Sequence, residues 1–193
     1  MDELWVSVDR VEGACSGPVP MSPGTGFLVR TGRLFLPGGR PICMYALQSV
    51  IPLLPAKERA IDEDKKADWL WRGDEVQCPD PKGGVVLRIE KRPLGSTEIS
   101  FSAAPEATGG DLRIVVQRVL GTCTSGMAPG HELLLRGSSM YLAQPFCLYA
   151  LQAVLPLLPA FQRSLAPDDW MAKENLIVCP DPAGNVLLRV DRL

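Results

Sequence analysis

Apolar and polar residues alternate at the start of the chain: Leu4, Val6 and Val8 take one parity, Trp5, Ser7 and Asp9 the other. A period of two is that of a strand with one face in a core, and Gly13 marks its end. A short second strand is expected over Gly26 to Arg30. The spacing changes at Pro41, a residue favoured in a first helical turn, after which Ala46, Leu47, Val50 and Leu54 recur at helical intervals. Pro52 and Pro55 kink or restart that helix, because proline lacks the N–H that the helical ladder needs. A further short helix is expected around Trp69, and Val85 to Ile89 reads as a closing strand begun by the Pro79-Asp80-Pro81-Lys82-Gly83 turn.

The same pattern then returns. Cys43 to Ala56 reads CMYALQSVIPLLPA and Cys147 to Ala160 reads CLYALQAVLPLLPA, differing only at Met44/Leu148, Ser49/Ala153 and Ile51/Leu155. CPDPKGGVVLRI, from Cys78, matches CPDPAGNVLLRV, from Cys179, and Leu4 to Cys15 lies more loosely over Leu112 to Cys123. Residues 1–92 form a first copy, 111–193 a second, and 93–110, rich in Gly, Ser, Ala and Pro, a linker. Each copy is close to the lower size limit for a domain that folds alone. The expected architecture is therefore α+β: two tandem β-β-α-α-β repeats, packed with pseudo-twofold symmetry, with antiparallel sheets and segregated helices.

Composition narrows the function. In 193 residues, 46% are hydrophobic and 22% charged, as in ordinary globular proteins, and the formal net charge is -2. Lys and Arg are scattered among acids with no basic stripe, which argues against nucleic acid as a partner. The acidic start Met1-Asp2-Glu3 is unlike a signal peptide, and the apolar run Cys43 to Ala56 is too short to span a bilayer, so no membrane is expected and the location expected is cytoplasmic. A reducing compartment disfavours structural disulfides and leaves metal binding, catalysis or packing for the cysteines.

Each cysteine has a counterpart in the other copy: Cys15 with Cys123, Cys43 with Cys147, Cys78 with Cys179. Each trio falls at element ends, where a small fold can gather side chains. Three thiolates without histidine suit Zn, Cu or an iron–sulfur cluster, because soft sulfur selects such species. The absence of a C-x-x-C pair leaves the fold to assemble that site. Cys43 and Cys147, expected in a first helical turn where the dipole favours a thiolate, are also candidate nucleophiles, with Asp80 and Asp181 as bases or ligand-orienting groups. The other reading of these aspartates is local: Asp in a proline turn bonds nearby backbone N–H groups. Tyr45 and Gln48, like Tyr149 and Gln152, share one face of an apolar helix and either line a ligand pocket or hydrogen-bond between the copies. Trp69 and Trp170, each after an Asp, read as core anchors of capped short helices. His131 is the only histidine and has no counterpart, which excludes a Cys-His machine common to both copies. No glycine-rich phosphate loop follows a strand.

Gly13-x-Cys15, Cys43-x-x-Ala46-Leu47 and Cys78-Pro79-Asp80-Pro81, repeated from Gly121, Cys147 and Cys179, resemble a family of short prokaryotic proteins of uncharacterised activity and about one copy's length. In that family a Gly-His-like step and a Gly-Asp pair often follow the first cysteine; Ser16-Gly17-Pro18 and Gly126-Met127 lack the histidine here. The resemblance implies the repeat and its cysteines and names no reaction. The expected function is a soft-metal or iron–sulfur protein using one cysteine trio per repeat. The alternatives are an enzyme acting on a small-molecule ligand between the repeats through a helix-start thiolate, and a structural or partner-binding module with core cysteines.

Overall fold

A computed structural model describes residues 2–59 and 73–193. The helix expected around Trp69 lies outside the described residues. The first half runs β1 (Asp2–Val11), β2 (Gly26–Arg30), β3 (Arg33–Phe35), β4 (Ile42–Cys43), α1 (Met44–Val50), α2 (Leu54–Lys57), β5 (Glu75–Gln77) and β6 (Val85–Pro93). The second runs β7 (Leu112–Val119), β8 (Glu132–Arg136), β9 (Ser139–Leu142), β10 (Phe146–Cys147), α3 (Leu148–Val154), α4 (Leu158–Phe161), α5 (Trp170–Lys173), β11 (Leu176–Val178) and β12 (Val186–Arg192). The fold is α+β. Along β1 the alternation works as read: Leu4, Val6 and Val8 are buried while Trp5, Ser7 and Asp9 are only partly covered.

Among the described residues the strands form two six-stranded antiparallel sheets, ordered β10-β3-β2-β1-β6-β5 and β11-β12-β7-β8-β9-β4. Each half lends its two-residue strand to the other half's sheet. Ile42 and Cys43 pair with Met140 and Ser139, and Phe146 and Cys147 pair with Leu34 and Arg33. The first helical amides continue the exchange: Met44 N–H donates to the Ser138 carbonyl at 2.8 Å and Leu148 N–H to the Gly32 carbonyl at 2.9 Å.

This exchange moves the helix start. The helix read from Pro41 begins at Met44, because Ile42 and Cys43 are extended and commit their backbone to the neighbouring sheet. It ends at Val50, two residues before Pro52, and restarts at Leu54 with Pro55 in its first turn. Met44, Ala46, Leu47 and Val50 are buried, and α1 lies against β4, β5 and β6. Buried residues of both halves belong to one hydrophobic core. The short strands β3, β4 and β5, and their counterparts β9, β10 and β11, extend the simpler β-β-α-α-β reading.

Residues 93–110, read from the sequence as a linker, are held near both ends by buried carboxylates. Glu3, fully buried on β1, accepts hydrogen bonds from Thr97 N–H (2.8 Å), Gly95 N–H (2.9 Å), Ser96 Oγ (3.1 Å) and Arg30 Nε (2.8 Å). Asp111, also buried, accepts from Thr108 N–H (2.8 Å) and Arg136 Nη2 (2.9 Å). Between these anchors Phe101 packs on Phe35 with ring centroids 6.0 Å apart.

Burial alone would raise the Glu3 pKa, but the hydrogen bonds from Thr97, Gly95, Arg30 and Ser96 outweigh it and lower the value from 4.5 to about 2. A carboxylate with a depressed folded pKa stabilises the fold fully above its unfolded value, and that contribution is lost as pH falls from about 4.5 to about 2. We predict that Glu3→Gln destabilises the protein at pH 7 by on the order of 3 kcal/mol, the typical result of breaking a buried hydrogen-bonded charge pair. Urea unfolding across this pH range will show a flatter acid dependence in the variant than in the wild type.

Candidate functional site: two cysteine clefts

The first cysteine of each trio is placed by strand pairing carried past its regular end. Beyond a register shift between Val8 and Arg10, Gly13 N–H donates to Gly83 O at 3.0 Å and Ala14 N–H to Lys82 O at 3.0 Å, which lays Cys15 over the turn that follows Cys78. In the second half Gly121 N–H and Thr122 N–H bond Gly184 O and Ala183 O at 3.1 and 2.9 Å. The glycine of Gly-x-Cys is dictated by contact: a Cβ on Gly13 would lie 2.1 Å from Lys82 O, and one on Gly121 would lie 2.0 Å from Ala183 O.

The second cysteine comes from the exchanged strand and the third from the Cys-Pro-Asp-Pro turn. Cys43 and Cys147 are N-cap residues of the seven-residue helices α1 and α3, outside the first turn where the sequence pattern put them. Cys78 and Cys179 are buried, and their N–H groups each donate at 2.8 Å, to Val85 O and Val186 O. Burial pushes the Cys78 thiol pKa up, against a hydrogen bond from the Asp80 N–H, and the nearby Cys43, Asp80 and Cys15 push in the same direction as burial. Cys179 is raised in the same way, with Asp181, Cys147 and Cys123 as its neighbours.

The fold thus brings each trio to a single cleft. Cys15, Cys43 and Cys78 line a hollow of about 420 Å³ with Tyr45, Asp80 and, from the other half, Ser138. Cys123, Cys147 and Cys179 line another of about 420 Å³ with Tyr149 and Asp181. All six cysteines are free thiols. Cys15, Cys43 and Cys123 are partly exposed at the clefts and pack with their covered side against the hydrophobic core. A larger hollow of about 590 Å³ beneath α5 contains no cysteine.

Other candidate residues divide. Tyr45 and Tyr149 line the clefts, but Gln48 and Gln152 do not, and among the described residues neither glutamine bonds across the halves. The helix turns both amides toward the surface rather than toward the other half, Gln48 half-buried and Gln152 exposed. Asp169 caps α5, accepting from Met171 N–H at 2.8 Å, as read, but Trp170 is 58% exposed and is not a core anchor. Met171, one position along that short helix, is the residue turned inward. His131 lines neither cleft.

The two clefts are not identical. Asp80 clamps the first cysteine loop, accepting from Ser16 Oγ (2.8 Å) and Ser16 N–H (3.1 Å) while Lys82 N–H (3.0 Å) closes its own turn, and these bonds lower its pKa. Among the described residues, the Asp181 carboxylate accepts the turn bond from Ala183 N–H, at 3.0 Å, with no counterpart of the Ser16 contacts. Opposite Cys43 in the ladder stands Ser139, opposite Cys147 stands Arg33, whose Nε is buried without a partner among the described residues. Among the described residues no group of three or more His, Cys, Asp and Glu is arranged to hold a metal ion. No helix of the described residues is long and apolar enough to cross a membrane.

Because the Gly13 contact is with backbone, it cannot be relieved by a rotamer change. Gly13→Ala will cost on the order of 2 kcal/mol and speed alkylation of Cys15, whereas Gly109→Ala, with nothing within 4 Å of its Cβ position, will stay within about 0.5 kcal/mol of wild type. Urea unfolding and iodoacetamide labelling followed by mass spectrometry check both. Compared with known proteins, the chain matches no family model, no curated protein and no solved structure.

Proposed function

We propose that the protein is a tandem-repeat thiolate scaffold, its halves related by a pseudo-twofold axis, in which each cleft holds a soft-metal centre through Cys15, Cys43 and Cys78 or through Cys123, Cys147 and Cys179. The matching strand orders and the reciprocal loan of β4 and β10 support the symmetry. One observation carries the functional reading: all six cysteines, from three separate elements in each half, go to two clefts, three to each. Three thiolates without histidine suit a soft ion such as Zn(II), or a metal–sulfur cluster with one position left open. The Asp80 N–H that bonds Cys78 sulfur is the kind of outer contact that tunes such a thiolate. The volume of each cleft also suits a small organic molecule, which makes thiol chemistry on such a ligand the second reading.

The deciding measurement is metal content by mass spectrometry on protein purified without oxygen, with an absorption spectrum and a free-thiol titration of the same sample. Near-stoichiometric metal, lost half at a time in Cys43→Ser and Cys147→Ser, is expected. Metal-free protein with six titratable thiols that takes up neither Zn(II) nor an iron–sulfur cluster on reconstitution overturns the proposal. Since the buried Cys78 and Cys179 thiols have raised pKa values and must lose protons to bind, affinity should rise with pH, by roughly tenfold per pH unit for each proton displaced. Chelator competition at pH 6.5 and 8 measures that slope.

A further inference from the structure

The cleft of Cys123, Cys147 and Cys179 has an annex that both halves build. A groove of about 270 Å³ lies between Thr31, Glu58 and Arg59 of the first half and Thr124, Ser125 and Tyr149 of the second. Thr124, Ser125 and Tyr149 also line the cysteine cleft, so the two hollows adjoin across those side chains. Glu58 is the notable member, being only 6% exposed. Gly32 N–H donates to its two oxygens at 3.0 and 3.3 Å. A carboxylate offers about four acceptor sites, so these bonds fix its position without exhausting its capacity. Burial raises its pKa, and the Gly32 and Thr31 amides and the Arg59 charge oppose that rise. The next residue, Arg59, also lines the groove, and its charge is near enough to act on Glu58.

The corresponding place beside the first cleft is built differently. Gln162 and Arg163 stand where Glu58 and Arg59 do, and Gln162 donates to the Gly137 carbonyl. There the longer loop after Cys15 lies over the wall: Pro18 Cγ is 3.1 Å from the Cβ position of Gly137, and the Cβ position of Gly17 is 3.4 Å from Ser138 Oγ. The shorter loop after Cys123 has no such segment. Among the described residues, a buried carboxyl group, a cation beside it and four hydroxyl-bearing side chains are thus found together next to one cysteine cleft and not the other.

We infer that this groove is a binding site for a small zwitterion of the free amino-acid class, its ammonium group on Glu58, its carboxylate on Arg59, and its side chain entering the cleft at Cys123. Paired opposite charges on one wall select a ligand carrying both signs over a ligand carrying either. The inference does not depend on the proposed metal, and its test uses metal-free protein.

The reduced full-length chain is offered L-cystine, which is zwitterionic at each end, cystamine, a dication, or 3,3′-dithiodipropionate, a dianion. The thiolate of a cysteine attacks one sulfur of the probe, a protein–probe disulfide forms, the probe's own S–S bond breaks, and the departing half takes up a proton as a free thiol. Peptide mass spectrometry reads the rate at Cys123 divided by the rate at Cys15 in the same sample, which cancels the intrinsic reactivity of each probe. With L-cystine this ratio should exceed that of either other probe by about tenfold, the factor one charge-assisted hydrogen bond contributes. Glu58→Gln should remove the advantage over the dianion, and Arg59→Gln the advantage over the dication. Glutamine occupies the corresponding position 162, so the fold accepts it, and thermal unfolding of the variant verifies this. Equal ratios for the three probes, or a preference that survives both substitutions, overturns the inference.

Discussion

Two residues of extended backbone on each side set the arrangement on which the rest of this structure depends. Ile42 and Cys43 complete the sheet built by the second half, Phe146 and Cys147 complete the sheet built by the first, and each helix sets out from its lent strand. Strand pairs this short carry little energy by themselves. Their effect is positional: they fix where α1 and α3 begin, hence where their apolar faces meet the sheets, and they carry the second cysteine of each trio into its cleft. The clefts are therefore not properties of either half alone, since the edge on which Cys43 sits is Ser139 of the second half and the edge for Cys147 is Arg33 of the first.

Much of this was readable from the chain. The alternation at Leu4, Val6 and Val8 gives the buried face of β1, Gly26 to Arg30 is β2 with those bounds, and the proline pair does break the helix. The doubled Cys-Pro-Asp-Pro segment marks the turn that Asp80 and Asp181 close. The exchange was not readable, because a two-residue strand has no period and its partner lies about a hundred residues away in the chain. The helix start was misplaced for the same reason: Pro41 is a valid first-turn residue, and only a long-range pairing makes Ile42 and Cys43 extended. Trp170 misled because a capped short helix says nothing about which of its faces is inward, and the inward residue is Met171.

Glu58 is not legible as a site residue from sequence because it follows the apolar run, between Lys57 and Arg59, and looks like part of a solvated helix end. The signal was present as a difference between the copies. Just beyond the segments that agree at nearly every position, Lys57 stands against Phe161 and Glu58 against Gln162, changes of charge and size rather than the mild swaps found within the match. Lys57 is buried with Asp74 at 3.3 Å, whereas Phe161 simply joins the core. The same divergence separates the clamped Asp80 from the less constrained Asp181.

The linker that Glu3 and Asp111 pin at its two ends has a consequence for assembly. Halves that finish each other's sheets would, if unconnected, associate by a second-order process and fall apart on dilution. A short tether holds the partner at an effective concentration in the millimolar range. Joining of the two halves within one chain is thereby a first-order process. Covalent connection thus turns a fold that requires two partners into one that a single chain completes.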